Sequence, residues 1–250
     1  MDIESTQYGV VRPDGRPADT LREISFAMDI APAAKGSTLI RVGRTAVVCA
    51  VSVDEKVPRW MQQQKVKGGW LTGEYSMLPY STTDRSSRES SRGKIDGRTQ
   101  EIQRLIGRSL RAVVDLEKLG ARTLWVDCDV LEADGGTRTA AITGAYVALR
   151  KAIDRLLQEE RIPEDPVKES VAAISVGLVK GVPMLDLCYE EDRAAGVDMN
   201  VVVTGSGRYV EVQGTAEGEP YSRDQLNEML ALADKGTADL FEAQTRALQG

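Results

Sequence analysis

The fold of this chain is decided around residues 134–145, which read Asp-Gly-Gly-Thr-Arg-Thr-Ala-Ala-Ile-Thr-Gly-Ala. The glycine pair leads out of an apolar stretch typical of a strand and into a stretch with helical spacing. The first amides of a helix have no intrahelical partner and lie at the positive end of the helix dipole, so they can bind an anion. Thr137 adds a hydroxyl and Arg138 a guanidinium suited to phosphate oxygens. The junction therefore predicts that Gly136, Thr137 and Arg138 bind phosphate, although a Gly-Gly pair is also common as plain strand-to-helix punctuation.

A second block, residues 97–113, has apolar residues at helical spacing and a row of arginines on the opposite face. Arg98 lies at the start of this helix, where a positive charge is unfavourable against the helix dipole. An anion shared between Arg98 and the free amides would explain that position. The arginines further along, Arg104, Arg108 and Arg111, are equally consistent with a solvated helix face.

Acidic residues cluster in a third block. If residues 184–189 and 198–204 form adjacent antiparallel strands, the turn between them brings Asp192 and Asp198 together at one end of the sheet. Two close carboxylates repel, and a hard cation such as Mg²⁺ prefers oxygen ligands of this kind. We therefore expect Asp192 and Asp198 to hold Mg²⁺, with an acidic surface turn as the alternative.

The segment of residues 79–97 is rich in serine and arginine and has few large apolar residues. Residues 85–111 carry eight Lys or Arg against three Asp or Glu, although the whole chain has a net charge of −6. A local basic patch gives affinity for RNA phosphates without reading sequence. We expect a mobile RNA-binding loop that carries Arg85, Arg88 and Arg92, with an idle loop as the alternative.

Composition excludes several classes of protein. With 250 residues, 42% hydrophobic and 28% charged, the chain is typical of a soluble globular protein. It contains no histidine, which excludes a Ser-His-Asp hydrolase and a ribonuclease that depends on a histidine pair. Three widely spaced cysteines in apolar runs predict buried, reduced thiols. No apolar run is long enough to span a bilayer and the N-terminus lacks a signal-peptide pattern, so we expect a cytoplasmic protein with no membrane partner.

The order of the predicted elements indicates an α+β fold. The prolines in residues 161–169 mark a boundary between two halves, residues 12–160 and 165–248. A glycine at residue 43 favours a two-residue hairpin between strands at 37–42 and 45–53. The other strands are expected at 24–30, 123–131, 171–179, 184–189, 198–204 and 208–213, and the helices at 99–117, 137–160, 222–235 and 237–248.

These blocks, in this order, resemble the bacterial ribonuclease PH family of phosphorolytic 3′-to-5′ exoribonucleases, which trim transfer RNA precursors. The resemblance covers nearly the whole chain. It includes three further motifs, Arg12-Pro-Asp-Gly-Arg16, Gly73-Glu-Tyr-Ser-Met-Leu-Pro79 and Glu211-Val-Gln-Gly-Thr-Ala-Glu-Gly218. It implies a ribosomal protein S5 domain 2-like fold of two βαβα-type halves packed together, and a homo-oligomer that forms a hexameric ring, a trimer of dimers.

The resemblance also implies a reaction and a site. Inorganic phosphate, the co-substrate, attacks the last phosphodiester of an RNA with a free 3′ end and releases a nucleoside 5′-diphosphate. The family's phosphate ligands correspond to Arg98, Gly136, Thr137 and Arg138. Its metal-binding or acid–base carboxylates correspond to Asp192 and Asp198, which would hold Mg²⁺ as cofactor. One of the two carboxylates protonates the leaving 3′ oxygen, and the residues alone leave open which.

One residue departs from the family's pattern, and two alternatives remain. Tyr80 stands where many members place an arginine, so one contact to the RNA backbone is missing or replaced by stacking. A non-catalytic, RNA-channelling ring subunit of an exosome-like assembly would share the fold but lack part of the phosphate or carboxylate set. A hydrolytic metal nuclease would need more acidic residues and would release monophosphates.

Overall fold

A computed structural model describes residues 5–6 and 9–250 of the chain, with side chains from residue 11 onward except those of Ser90 and Arg92. The first half contains, in chain order, β1 Ser5–Thr6, β2 Gly9–Val10, β3 Ile24–Met28, β4 Gly36–Val42, β5 Thr45–Asp54, α1 Arg59–Gln64, β6 Trp70–Met77, α2 Glu89–Arg92, α3 Gly97–Ala112, β7 Thr123–Glu132 and α4 Thr137–Gln158. The second contains β8 Val171–Val179, β9 Val182–Leu185, α5 Tyr189–Ala194, β10 Ala195–Thr204, β11 Tyr209–Ala216 and α6 Arg223–Gln249. The prediction of an α+β fold is confirmed.

The first large sheet has the strand order β3-β4-β5-β7-β6. Adjacent strands in this sheet are antiparallel except β6 and β7, which are parallel. Parallel strands need a crossover, and α3 supplies it between them. The predicted hairpin at residues 43–44 joins β4 to β5, with Val42 paired to Thr45. Because α3 packs against β6 and α4 against β4 and β5, one face of this sheet is covered by helices.

The second large sheet has the order β11-β10-β8-β9 and is antiparallel throughout. Every residue of β8 is buried, because α4 and α6 both pack against it. The core residues Ile142 and Leu149 of α4 belong to the same apolar cluster as Val171 and Ala173 of β8. Helix α4 therefore joins the two sheets through one continuous core, and the division into halves at residues 12–160 and 165–248 stays a prediction.

Two helix predictions were wrong at their ends. The helix expected at residues 99–117 ends at Ala112, because the segment that follows it pairs with the connection between α4 and β8. Val114 forms a bridge with Val167, and the Asp115 amide donates to the Pro166 carbonyl at 2.7 Å. The two C-terminal helices are a single helix, α6, that runs through Gly236. A Cβ at Gly236 would lie 2.7 Å from the Leu185 side chain, so this glycine allows close packing rather than ending the helix.

The expected pairing of strands at 184–189 and 198–204 was also wrong. Strand β9 ends at Leu185, β8 lies between β9 and β10, and residues 189–194 form α5. Acidic residues in the first turn of a helix are favoured by its dipole. Glu191 also accepts a hydrogen bond from the Cys188 amide at 2.9 Å and so caps the helix. The acidic run thus starts a helix instead of extending a strand.

Two further expectations concern the burial of the cysteine thiols and the presence of helices that could span a membrane. All three cysteines, Cys49, Cys128 and Cys188, are buried and have free thiols, as expected. Within the described ranges, none of the helices is both long enough and apolar enough to cross a membrane.

Candidate active site

A cavity of about 580 Å³ opens where the first sheet, α4 and the second sheet meet. It collects residues that are far apart in the chain, from Met77 in β6 to Asn200 in β10. All six residues expected to bind phosphate or metal line it: Arg98, Gly136, Thr137, Arg138, Asp192 and Asp198. The remaining lining residues are Met77, Thr82, Thr83, Asp84, Ser86, Ala133, Gly135, Ser175, Tyr189 and Asn200.

The predicted strand-to-helix junction forms one wall of this cavity. Gly135 and Gly136 both have positive φ angles, +76° and +66°, which glycine adopts without strain. A Cβ on Gly135 would lie 2.5 Å from the Leu187 carbonyl oxygen, so the turn packs directly on the chain that leads into α5. Gly136 is the N-cap of α4 and makes no side-chain cap hydrogen bond. The positive end of a 22-residue helix therefore faces the cavity.

The Thr137 hydroxyl has a partner that the sequence did not reveal. Tyr75, buried in β6, donates a hydrogen bond from its hydroxyl to Thr137 Oγ1 at 2.9 Å. Burial raises the pKa of Tyr75, which keeps it protonated and a donor. Because Thr137 accepts from Tyr75, its own hydroxyl proton is directed to another acceptor. An anion in the cavity would provide that acceptor.

The two arginines are held differently. One guanidinium nitrogen of Arg138, Nη1, donates to Glu101 Oε2 at 3.3 Å and to Gln213 Oε1 at 3.2 Å. Arg98 lies in the first turn of α3, and its Nη1 is 3.5 Å from the sulfur of Met77. Arg138 is thus oriented by two acceptors from distant segments, neither of which was assigned a role from the sequence.

The carboxylates lie on successive elements, Asp192 on α5 and Asp198 on β10. Burial raises the pKa of Asp192, while the positive charges of Arg138 and Arg98 counteract part of that rise. Burial and then the negative charge of Asp192 raise the pKa of Asp198 to about 6, again against the effect of Arg138. Asn200 donates to Asp198 Oδ2 at 3.5 Å. Two carboxylates that line one cavity and repel each other form a local environment that favours a cation.

Helix α5 is fixed by a buried ion pair that sequence reasoning missed. Arg12 Nε donates to Glu191 Oε1 at 2.6 Å and Nη2 to Glu191 Oε2 at 2.7 Å. Both side chains are about 1% exposed. Glu191 precedes Asp192, so this pair determines where the carboxylate lies. The proximity of Arg12 to a helix 179 residues away has no local signal in the sequence.

The segment expected to bind RNA borders the cavity, although neither Arg85 nor Arg88 lines it. Thr82, Thr83, Asp84 and Ser86 form part of the wall. Arg85 and Arg88 are exposed, and the charge of Arg88 acts on the carboxylate of Asp129, on the outer face of the first sheet. The side chain of Arg92, the third expected RNA contact, is outside the described part of the chain.

Several lining residues were not singled out from the sequence, among them Tyr189, Asp84, Ser175 and Asn200. Tyr189 and Asp84 lie in polar surroundings in the chain and have no distinguishing pattern. Ser175 and Asn200 are polar, buried residues in strands that are otherwise apolar. A buried polar side chain in such a strand needs a partner, so that pattern is the signal that would have found them.

Solved structures share this fold at low sequence identity. A rice Rrp46 crystal structure superposes with a TM-score of 0.76 at 19% identity, covering 96% of this chain and 100% of that one. An Archaeoglobus fulgidus exosome chain, in a structure with RNA bound to the active site, gives 0.77 at 22% identity over 92% and 91%. At these identities the likeness shows the fold alone.

Sequence relatives are much closer. Ribonuclease PH of Bacillus subtilis is 55% identical over 240 residues, 95% of this chain and 97% of that protein. Ribonuclease PH of Neisseria meningitidis serogroup C is 54% identical over 233 residues, 93% and 96% of the two chains. Models of domain 1 and domain 2 of the 3′ exoribonuclease family match residues 20–153 and 169–236. The chain therefore belongs to the 3′ exoribonuclease family, with the ribonuclease PH proteins as relatives over most of its length.

Proposed function

We propose that this phosphorolytic 3′-to-5′ exoribonuclease shortens transfer RNA precursors, and that the cavity described above is its active site. Inorganic phosphate attacks the last phosphodiester, and a nucleoside 5′-diphosphate leaves. The observation that supports this most is that one cavity contains both an anion-binding set and a pair of carboxylates. The phosphate nucleophile is already an anion, so the protein needs to position it and stabilise charge, and it needs no histidine base.

Phosphate would bind to the start of α4 together with the two arginines. The first amides of α4 and the Thr137 hydroxyl supply neutral donors, and Arg98 and Arg138 supply charged ones. Glu101 keeps Arg138 oriented before phosphate arrives. Such donors, fixed in place before the reaction, stabilise the charge that develops on the transferred phosphoryl group.

Mg²⁺ would be held by Asp192 and Asp198. The fit rests on two carboxylates that line the same cavity and whose pKa values are raised by burial and, for Asp198, by the charge of its neighbour. When bound, Mg²⁺ supplies positive charge to substrate oxygens. The carboxylates are also the candidates for the acid that protonates the leaving 3′ oxygen, and the Asn200 amide orients Asp198 for either role.

RNA would reach the cavity along the basic segment of residues 85–111. Arg85, Arg88 and Arg92 would contact backbone phosphates of an RNA whose 3′ end lies in the cavity, and the first two are exposed and lie outside the cavity lining. We also propose a homo-oligomer, a hexameric ring of dimers. Support comes from the fold, which is shared with a chain of an archaeal exosome core. Sedimentation velocity measures the assembly directly.

The substrate proposal is tested with two RNAs that carry the same 3′ extension, one a folded tRNA precursor and one unstructured. Degradation of both should start at the free 3′ hydroxyl, stop near the acceptor stem of the precursor and continue through the unstructured RNA. A matching RNA that ends in a 3′ phosphate is the control and should resist. Internal cleavage, or equal attack on the blocked RNA, would contradict exonucleolytic action.

A further inference from the structure

Arg22 lies behind the cavity wall, in the chain that leads into β3, and is 6% exposed. Its guanidinium forms a two-pronged contact with Asp186, with Nε to Oδ2 at 3.0 Å and Nη2 to Oδ1 at 2.8 Å. Its backbone amide donates to the same carboxylate at 2.8 Å. The buried charge of Arg22 and the close hydrogen bonds hold the pKa of Asp186 below its ordinary value, against the effect of burial. This pair stays ionised at neutral pH.

The other edge of the guanidinium contacts the phosphate-binding turn. Nη1 donates to the Asp134 carbonyl at 2.5 Å, and Nη2 is 3.4 Å from the carbonyls of Gly135 and Leu187. One side chain therefore bridges the turn that begins α4 and the segment that begins α5. These two segments hold three of the four proposed phosphate ligands, Gly136, Thr137 and Arg138, and one of the carboxylates, Asp192.

We propose that Arg22 is a positioning residue that fixes the separation between the phosphate-binding turn and the carboxylate helix α5. The inference rests on the proposed function, because it assigns the two segments to one reaction. Direct contact between them supports it, since Gly135 approaches Leu187 too closely for a Cβ. This contact lies in the same region that the Arg22 guanidinium spans, between the Gly135 and Leu187 carbonyls. Arg22 does not line the cavity, so it acts only through the groups it holds.

The chemistry of arginine is needed for this contact. A lysine keeps the charge and can bind Asp186, but it has no second edge with which to hold the carbonyls of the turn. A buried ion pair pays a large desolvation penalty, so it is a weak source of stability and a better means of specifying one arrangement. Arg22→Lys therefore separates the positioning role from simple charge balance.

The matched control is Arg12, which is also buried and ion-paired. It holds Glu191 on α5, and its other hydrogen bonds in the described part of the structure run to the carbonyls of residues 17, 18, 20 and 186. Arg12→Lys thus loosens α5 without removing a contact to the turn at residues 134–136. A general loss of stability would affect both variants alike.

The experiment compares wild type, Arg22→Lys and Arg12→Lys by steady-state phosphorolysis, equilibrium binding of inorganic phosphate and thermal unfolding. A misplacement of about 1 Å can cost a rate factor on the order of 10². We expect Arg22→Lys to raise the KM and Kd for phosphate by about 10-fold or more and to lower kcat, with the KM for RNA little changed. Arg12→Lys should keep wild-type phosphate affinity, even if its unfolding temperature falls as much as that of Arg22→Lys.

Wild-type phosphate KM and kcat in folded Arg22→Lys, or equal losses of phosphate affinity in both variants, would overturn the proposal. If Arg22→Lys does not fold, the same measurements on Asp186→Asn test the proposal. This substitution removes the charge that anchors Arg22 and keeps the shape of the Asp186 side chain. Activity of the wild-type chain without phosphate would refute the proposed function instead, so the two failures are distinguishable.

Discussion

At the scale of single residues, the cavity places two arginines and two carboxylates of opposite charge against each other. Hydrogen bonds constrain Arg138, and the pKa of each carboxylate is raised. A bound substrate would relieve both conditions. Arg138 shares its Nη1 between Glu101 and Gln213, while Asp198 has a pKa raised to about 6 by burial and by Asp192. Phosphate and a cation would complete both sets of interactions. Single substitutions should therefore separate binding from stability.

The first prediction concerns the arginines. Arg98→Ala and Arg138→Ala each remove a charged donor to phosphate, and loss of one such donor typically costs about 10²-fold or more in rate. We expect that loss in single-turnover assays at saturating phosphate, with unfolding temperatures close to wild type. Arg44→Ala is the control, because Arg44 is exposed in the β4–β5 turn and paired only with Glu132 in the contacts described. Near-normal turnover of either test variant would remove that arginine from the site.

The second prediction concerns pH and Asp198. An aspartate has a pKa of about 3.9 in the unfolded chain, whereas Asp198 has one of about 6 in the folded chain. The folded state therefore binds more protons between these values, so the stability contribution of this group is lost as the pH rises from about 4 through 6. Asp198→Asn removes that loss and should be more stable than wild type at pH 8 by about 3 kcal/mol.

Urea unfolding with a chelator present, at pH 4 and at pH 8, measures this difference. The advantage of Asp198→Asn should be clear at pH 8 and should shrink towards pH 4. A difference independent of pH would mean that the carboxylate is not perturbed as the structure indicates.

The third prediction concerns Mg²⁺. A ligand that binds only the folded state raises the unfolding temperature, so Mg²⁺ at pH 8 should stabilise the wild-type chain. It should have little effect on Asp198→Asn. Glu190→Gln is the control, since Glu190 is an exposed acid on the same helix as Asp192. Equal stabilisation of Asp198→Asn and wild type would place the cation elsewhere.

At the scale of elements, the sequence predicted those turns and helix starts that depend only on neighbouring residues. The turn at residues 134–136 combines glycines at positive φ with the start of a helix, and both features are visible in the sequence. The hairpin at residues 43–44 is another local signal. The ends of α3 and the continuity of α6 depend on pairing and packing with distant segments, so helical periodicity misplaced them.

The fourth prediction belongs to this scale and uses a matched pair of glycines. Gly135→Ala should lower stability through the strained φ and through a Cβ 2.5 Å from the Leu187 oxygen, and it should raise the phosphate KM. Gly207 has nearly the same φ, +77°, and open space around its Cβ position. Gly207→Ala therefore includes the backbone strain without the clash. Equal unfolding temperatures and phosphate KM values for the two variants would show that the turn does not depend on this close contact.

At the scale of the whole molecule, the site exists because α4 packs against both sheets. The cavity draws on β6, α3, α4, α5 and β10, so neither sheet forms it alone. The residues proposed to bind phosphate and Mg²⁺ could be selected from the sequence because they lie at recognisable junctions or in motifs that resemble the family's, and the structure brings them to one cavity. Four residues that support them are Tyr75, Glu101, Gln213 and Arg22. Their contacts could not be predicted from the sequence, because each contacts a partner that is 37 to 164 residues away in the chain.

The most direct test of the account supplies ³²P-labelled inorganic phosphate, Mg²⁺ and an unlabelled RNA with a free 3′ hydroxyl, and then identifies the nucleotide product. The account predicts that degradation requires phosphate and that the label appears in the β position of nucleoside 5′-diphosphates, while the RNA shortens by one nucleotide for each labelled product. Arg138→Ala should release almost none. Unlabelled nucleoside monophosphates, formed equally well in phosphate-free buffer, would contradict phosphorolysis and with it the central claim.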